Sequence, residues 1–314
     1  MHHGRVLLPD VGPLLLVSFA VGIVVGLTGM GGGALMTPAL IFLGVPPTAA
    51  VANDLVAAAV TKSVGATVHW RRGSPDLRLA GLLTLGSVPT AFAGAWLVRA
   101  LGTGPGQEHL LRLAIGATLL LTATTFVLRV WVGLARGAAT EPADVSPTPK
   151  PVRTVLLGAG GGLLVGVTSV GSGSLIMVCL LLLYPALAAG RLVGTDLVQA
   201  IPLVMSAAIS HVLVTGVQWA VLVPLLLGGM PGTYLGARLS SVVSPSLTRR
   251  GIAIVLTLTG LTLLGAPPQW VGAAGLLLAV AGPVGWAGIR RAHGARAFHR
   301  LDVQVLSARL GRAG

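Results

Sequence analysis

Charge is scarce in this chain. Of its 314 residues only 9% are Asp, Glu, Lys or Arg, and only eight are acidic. A soluble domain carries about 25% charged residues, so the composition excludes an ordinary water-soluble fold. Cysteine is nearly absent too. Cys179 stands alone, which excludes an intrachain disulfide, and its apolar neighbours Leu180 to Leu183 make it a packing residue. Short alternating strands are missing, which argues against a membrane barrel. No strand–glycine loop–helix unit and no Gly-Lys-Ser/Thr occurs, so nothing points to nucleotide binding or ATP coupling.

What is present is long apolar sequence. Hydrophobic residues make up 54% of the chain. No charged residue occurs between Arg153 and Arg191, between Asp196 and Arg238, or between Arg250 and Arg290. About 20 apolar residues span a bilayer core as a helix. The expected fold is therefore all-α, a polytopic helical membrane protein. Eleven apolar segments are expected, at roughly 11–28, 33–46, 48–70, 79–98, 110–132, 154–169, 173–189, 192–215, 218–237, 250–266 and 270–289. The first runs directly into glycines with no small-residue cleavage site, so it reads as a retained helix rather than a signal peptide.

The net charge of +13 comes from 21 basic residues, nearly all Arg, set in loops and in the C-terminal tail. That placement orients helices and meets anionic lipid; it is not a nucleic-acid footprint. The tail (Arg290 to Arg312) should be cytoplasmic. Counting back one crossing per helix puts Arg249-Arg250, Arg191, the Lys150–Arg153 linker and Arg71-Arg72-Arg78 inside. Gly216-Val217-Gln218, Arg99, Arg112 and the N-terminus then fall outside.

The chain repeats itself. Asn53-Asp54-Leu55-Val56, His69, Gly86, Pro89, Gly94 and Leu97 reappear as Thr195-Asp196-Leu197-Val198, His211, Gly228, Pro231, Gly236 and Leu239, all at an offset of 142. Two glycine clusters precede these, Gly26–Gly33 and Gly166–Gly173, at an offset of 140. The organisation expected is a first repeat over 11–132, a Pro-rich polar linker over 133–153, a second repeat over 154–266, an additional helix over 267–289 and a basic tail over 290–314. Five segments per half invert the second copy relative to the first if each glycine-bordered pair is a hairpin. If each pair is one broken crossing, the halves are parallel. Inverted repeats with interrupted helices at matching places are the pattern of secondary transporters.

Asp54 and Asp196 are the only acids within the long apolar stretches. An intramembrane carboxylate costs roughly 2.5–3.5 kcal/mol on insertion scales and is by default a functional candidate. A desolvated carboxylate can take up and release a proton during transport. The plainer reading makes Asn53 or Thr195 an N-cap with the acid in the first helical turn. His69 and His211 follow their acids by fifteen residues, about 22 Å along a helix, so they cannot touch them. Packing near the far end of the segment is one role for them and proton handling the other.

A helix restarting after a glycine cluster exposes free N–H groups and the positive end of its dipole, which attract anions. The substrate-binding candidates are thus Thr28, Gly31, Gly32, Gly33, Asn53, Thr168, Gly171, Ser172, Gly173 and Thr195. Close helix packing through small residues is the competing explanation of the glycines. Lys62, whose counterpart is Val204, lies eight residues after Asp54 on about the same helical face. Pairing with a carboxylate, reaching to the surface and holding an anionic substrate are all open to it. Gln199, Ser206 and Ser210 could line a cavity. Pro89 and Pro231 should kink their helices.

The clusters Gly26–Gly33 and Gly166–Gly173, the Gly194-Thr195-Asp196-Leu197 element and the paired Gly-x-x-Pro-x-x-x-x-Gly patterns at Gly86–Gly94 and Gly228–Gly236 resemble the TauE/SafE sulfite exporter family. The resemblance runs over about 14–266 and is strongest from Gly160 to Leu239. It implies a permease-like protein of the cytoplasmic membrane with two related halves, moving sulfite, sulfoacetate, other organosulfonates or related anions. The segment 270–289 and the basic tail depart from the family pattern.

The function expected is a secondary transporter of a small anion, driven by the proton gradient or by the substrate's own. The alternative is an accessory or assembly membrane protein that transports nothing. An intramembrane enzyme lacks its nucleophile and base, and the acids and histidines are too spread for a metal centre. No cofactor is expected. The expected partners are a small anionic substrate and the lipid bilayer, with a homo-oligomer left open and no nucleic acid.

Overall fold

The computed structural model of the protein describes residues 10–28, 32–69, 75–135, 149–171, 173, 175–185, 187, 189–240 and 245–279. Among them are ten helices and no strand: α1 (Val11–Thr28), α2 (Gly33–Phe42), α3 (Pro47–His69), α4 (Leu77–Ala100), α5 (Pro105–Ala135), α6 (Pro151–Thr168), α7 (Leu175–Leu183), α8 (Ala189–Val214), α9 (Trp219–Leu239) and α10 (Pro245–Leu263). A further helical stretch covers 268–279. The chain is a multi-pass helical membrane protein. Six of its helices (α1, α4, α5, α6, α8 and α9) are long and apolar enough to cross a bilayer, while α2 and α7 are short, as their place after a glycine cluster suggested.

Proline marks where several helices begin. Pro47, Pro105, Pro151 and Pro245 are the first residues of α3, α5, α6 and α10, where the missing N–H would have had no intrahelical partner. Asp76 caps α4, its Oδ1 accepting from the amides of Arg78 and Leu79 at 3.1 Å. Glu108 does the same service at a distance: it accepts from the Thr48 amide (3.2 Å) and hydroxyl (2.7 Å) at the start of α3. Pro89 and Pro231 lie inside α4 and α9.

The two halves exchange partners. The first helix of each half packs on the fourth helix of the other, α1 on α9 and α4 on α6. Glycine makes this contact. A Cβ at Gly22 or Gly26 would run into the backbone of Gly229 or Thr233, and one at Gly228, Gly232 or Gly236 into Leu15, Phe19 or Ile23. The other seam repeats the arrangement, with Gly158, Gly162 and Gly166 against Leu83, Ser87 and Ala91. Partner numbers rise together along each seam, so α1 runs parallel to α9 and α4 parallel to α6. α5 and α10 meet at Gly116 and Gly260. Apolar helices gain no hydrophobic drive to associate inside lipid, so close backbone approach through small residues supplies the contact.

α3 and α8, the helices carrying the two acids, also pack together. α8 is tied further to α4. Ser206 Oγ donates to the Val88 carbonyl at 2.8 Å, Ser210 Oγ to that of Phe92, and Gln199 Nε2 to Ser87 Oγ at 3.2 Å. These three side chains, candidates to line a cavity, each join α8 to α4, because a buried hydroxyl or amide away from water takes whatever acceptor lies nearest.

Candidate functional site at the junction of the helix breaks

The interruption between α1 and α2 and the one between α6 and α7 come together. Gly33 opens α2, and a Cβ on it would overlap the carbonyl of Ser169, which follows the last residue of α6. Ser169 has φ of 61°, the only non-glycine among the described residues in the left-handed region. That conformation costs an L-residue roughly 1–2 kcal/mol, and it holds the Ser169 amide on the Val165 carbonyl at 2.8 Å while its hydroxyl is turned inward. Gly171, two residues on, has φ of 105° and completes the turn away from the helix axis.

Asp54 reaches this junction from α3. Its Oδ2 accepts a hydrogen bond from Ser169 Oγ at 2.8 Å and another from Thr37 Oγ1 of α2 at 2.6 Å. A carboxylate of the first half thus joins the break of the second half to the short helix of its own. All three residues are at most 3% exposed. Burial of an acid at this depth is tolerated only with such partners.

Asp54 and Asp196 are each the eighth residue of their helix, α3 from Pro47 and α8 from Ala189. The capping explanation is therefore corrected: Asn53 and Thr195 lie inside helices and cannot be N-caps. Asn53 Nδ2 donates to the Ala49 carbonyl one turn back at 2.8 Å, and its Oδ1 is buried without a hydrogen-bond partner. Thr195 Oγ1 donates to the Arg191 carbonyl at 2.7 Å and accepts from the Asp76 amide at 2.9 Å. Beside it Arg191 pairs with Asp76 at 3.6 Å. Thr195 is engaged in joining α8 to the segment before α4.

Asp196 is 3% exposed. Lys62 lies on α3 eight residues after Asp54 and is partly buried. His211 stands apart from its own acid, as fifteen helical residues require. Its Nε2 lies 2.7 Å from the Gly166 carbonyl. A carbonyl only accepts, so this nitrogen carries the hydrogen, and Nδ1 is left as an acceptor without a partner.

The remaining candidates divide. Thr168 Oγ1 donates to the Leu164 carbonyl at 2.6 Å and accepts from the Val170 amide at 3.2 Å, which shapes the turn leading out of α6. Thr28 Oγ1 donates to the carbonyls of Val24 and Val25. Gly32 precedes α2 with helical φ of −61°, its Cβ position 3.7 Å from a Val25 methyl, and Gly173 lies in the turn before α7. Gly31, Ser172 and the side chain of His69 lie outside the described residues. Thr37 and Ser169 were not among the candidates. Ser169 could have been found, since it sits inside the second cluster. Thr37 has Met177 or Cys179 at its repeat positions, according to which of the two offsets applies, so the internal repeat gave no sign of it.

A groove of about 540 Å³ between α3 and α8, with Val56, Ala59, Met205 and Ile209 in its walls, is lined by aliphatic and thioether side chains. It offers nothing to hold an anion. The polar junction is instead enclosed by protein. Among the described residues no group of three or more His, Cys, Asp or Glu side chains is arranged to hold a metal ion.

The family model described as "Sulfite exporter TauE/SafE" matches residues 14–263. Two proteins of Bacillus subtilis (strain 168) are similar to the chain. "Probable membrane transporter protein YjnA" is 35% identical over 253 residues, covering 80% of this chain and 98% of that protein. "Probable membrane transporter protein YdhB" is 28% identical over 253 residues, covering 80% of this chain and 99% of that protein. No solved structure matches.

Proposed function

Because the chain belongs to the sulfite exporter TauE/SafE family and is a membrane transporter, not an enzyme, we propose that it moves sulfite or a small organosulfonate across the cytoplasmic membrane. The hydrogen-bonded group of Asp54, Thr37 and Ser169 carries this reading. It places an ionisable side chain where two interrupted helices meet, the arrangement secondary transporters use for substrate and coupling ion. The accessory-protein alternative has no use for it.

The halves, 11–132 and 154–266, are taken to be inverted. In support, α1 is parallel to α9 and α4 to α6, and α8 follows α4 along the Val88 and Phe92 carbonyls in rising order. With one short turn between α8 and α9, equivalent helices then point in opposite directions. The fully enclosed junction corresponds to an occluded state, and rocking one half against the other would open it to either side. Asp54 and Asp196 are the groups through which protons couple to the substrate. Their burial makes the ionised form costly unless compensated, so a change of access on transport would change proton occupancy.

Purified protein in proteoliposomes tests this directly. Wild type should carry sulfite or sulfoacetate and respond to an imposed proton gradient. Asp54→Asn and Asp196→Asn should each abolish flux or uncouple it while the protein still inserts. Absence of flux for every anion of this class would overturn the substrate assignment. Unaltered gradient dependence in both variants would overturn the proton role.

A further inference from the structure

We propose that transport opens the contact between α3 and α9 while the contact between α4 and α8 stays shut throughout the cycle, so that α3, the helix carrying Asp54, is the element that moves. This rests on the transporter reading and says at which meeting of the two halves the rocking takes place.

The sequence repeat makes these two contacts equivalent: at the offset of 142, α8 is the counterpart of α3 and α9 that of α4. The structure makes them unlike. Arg191, Thr195, Gln199, Ser206 and Ser210 follow one another at spacings of four, four, seven and four, which puts them on one face of α8. All five are bonded to α4 or to the residue that caps it. Arg191 pairs with Asp76 at 3.6 Å, and Thr195 Oγ1 accepts from the Asp76 amide at 2.9 Å. Gln199 donates to Ser87, Ser206 to the Val88 carbonyl and Ser210 to that of Phe92. On α3 the same five positions hold Ala49, Asn53, Ala57, Val64 and Val68. Alanine and valine have no side-chain donor or acceptor, and Asn53 donates back to the Ala49 carbonyl of its own helix. Gln218, which stands where Asp76 stands in the first half, makes no side-chain cap on α9. α4 and α8 also meet more extensively than α9 and α3.

Parting α8 from α4 would strip five polar side chains of these partners. Gln199, Ser206 and Ser210 lie inside the apolar span, where no water replaces what is lost. Parting α3 from α9 breaks none of that set. α3 also has room to shift while α8 stays on α4, because the groove of about 540 Å³ beside Val56 and Ala59 lies between α3 and α8. Asp54 bonds both Thr37 and Ser169, so a shift of α3 acts directly on the junction of the helix breaks.

The test is a pair of reversible cross-links in proteoliposomes, with sulfite and sulfoacetate as probes and wild type, which has only Cys179, treated in the same way as the control. A Cβ at Gly194 would lie 3.5 Å from that of Pro75, the residue before Asp76. A disulfide spans about 3.5–4.5 Å between Cβ atoms. Pro75→Cys/Gly194→Cys should therefore close on oxidation, and the oxidised protein should keep most of the flux of its reduced form. Ala52→Cys/Val217→Cys occupies the equivalent positions in α3 and just before α9. Joined by oxidation or by a longer cleavable thiol-reactive reagent, this variant should lose its flux and regain it on cleavage. Flux that stops when Pro75→Cys/Gly194→Cys is oxidised and returns on reduction overturns the proposal, and so does failure of that pair to close. Undiminished flux in linked Ala52→Cys/Val217→Cys, or a pair that no reagent joins, overturns it as well. In each of these cases wild-type flux leaves the transporter reading standing. If wild type carries no such anion, that reading fails and this proposal falls with it.

Discussion

Gly33 and Ser169 touch backbone to backbone, although one opens the short helix of the first half and the other ends a long helix of the second. No side chain fits between them. Gly33→Val should therefore force the two breaks apart and carry Thr37 and Asp54 with them. Overpacking of this kind costs typically 1–3 kcal/mol. The expected outcome is insertion at normal levels with transport reduced at least tenfold, read as initial flux per inserted molecule. Flux at the wild-type rate would place the substrate path elsewhere.

Ser169 adopts a conformation that serine rarely takes, and its hydroxyl is spent on Asp54 at 2.8 Å. Ser169→Gly removes the hydroxyl and also relieves the backbone, so the fold should tolerate it. A hydrogen bond to a charged group contributes about 1.5–3 kcal/mol. Transport should fall by about one to two orders of magnitude while thermal stability is kept or raised. Thr37→Val removes the other donor and should lower transport in the same direction. Loss of stability without loss of flux in both variants would mean that the hydroxyls only brace the fold.

Thr195 separates a packing role from a binding one. Its hydroxyl receives the Asp76 amide at 2.9 Å, next to the Asp76–Arg191 pair at 3.6 Å. Thr195→Val leaves that amide without its acceptor, which costs about 1–3 kcal/mol. The melting temperature in detergent should drop, and KM for the transported anion should not move. A raised KM with unchanged melting would return Thr195 to the binding site.

The pattern of acids and glycines made much of this legible. The apolar segments within the described residues fall on the helices because an uncharged stretch in lipid has only the helix available to satisfy its backbone. The 142-residue offset identified equivalent positions, and Asp54 and Asp196 do occupy the same place in their helices. An offset says nothing about contact, however. That Asp54 meets Ser169 across 115 residues depends on the halves exchanging partners, α1 with α9 and α4 with α6, which no local pattern encodes. The glycine clusters were also ambiguous for a physical reason. Gly26 and Gly166 serve helix packing, whereas Gly33 and Gly171 shape the junction, and glycine suits both tasks through the same missing Cβ.

That double use gives a substitution whose effect changes sign with position on one helix. Gly81 and Gly94 both lie in α4. A Cβ at Gly81 meets nothing within 4 Å, while one at Gly94 would collide with the backbone of Gly166. Replacing a helical glycine by alanine in open surroundings stabilises by about 0.5–1 kcal/mol, because the unfolded chain loses freedom. Gly81→Ala should accordingly raise the melting temperature slightly and leave transport intact. Gly94→Ala should lower it, since α4 and α6 must separate to admit the methyl group and cannot do so without straining the His211–Gly166 hydrogen bond. Parallel melting curves of the two variants in one detergent decide the matter. If both substitutions stabilise, the α4–α6 seam is looser than described, and the glycines at Gly86, Gly158 and Gly162 would need another explanation than close packing.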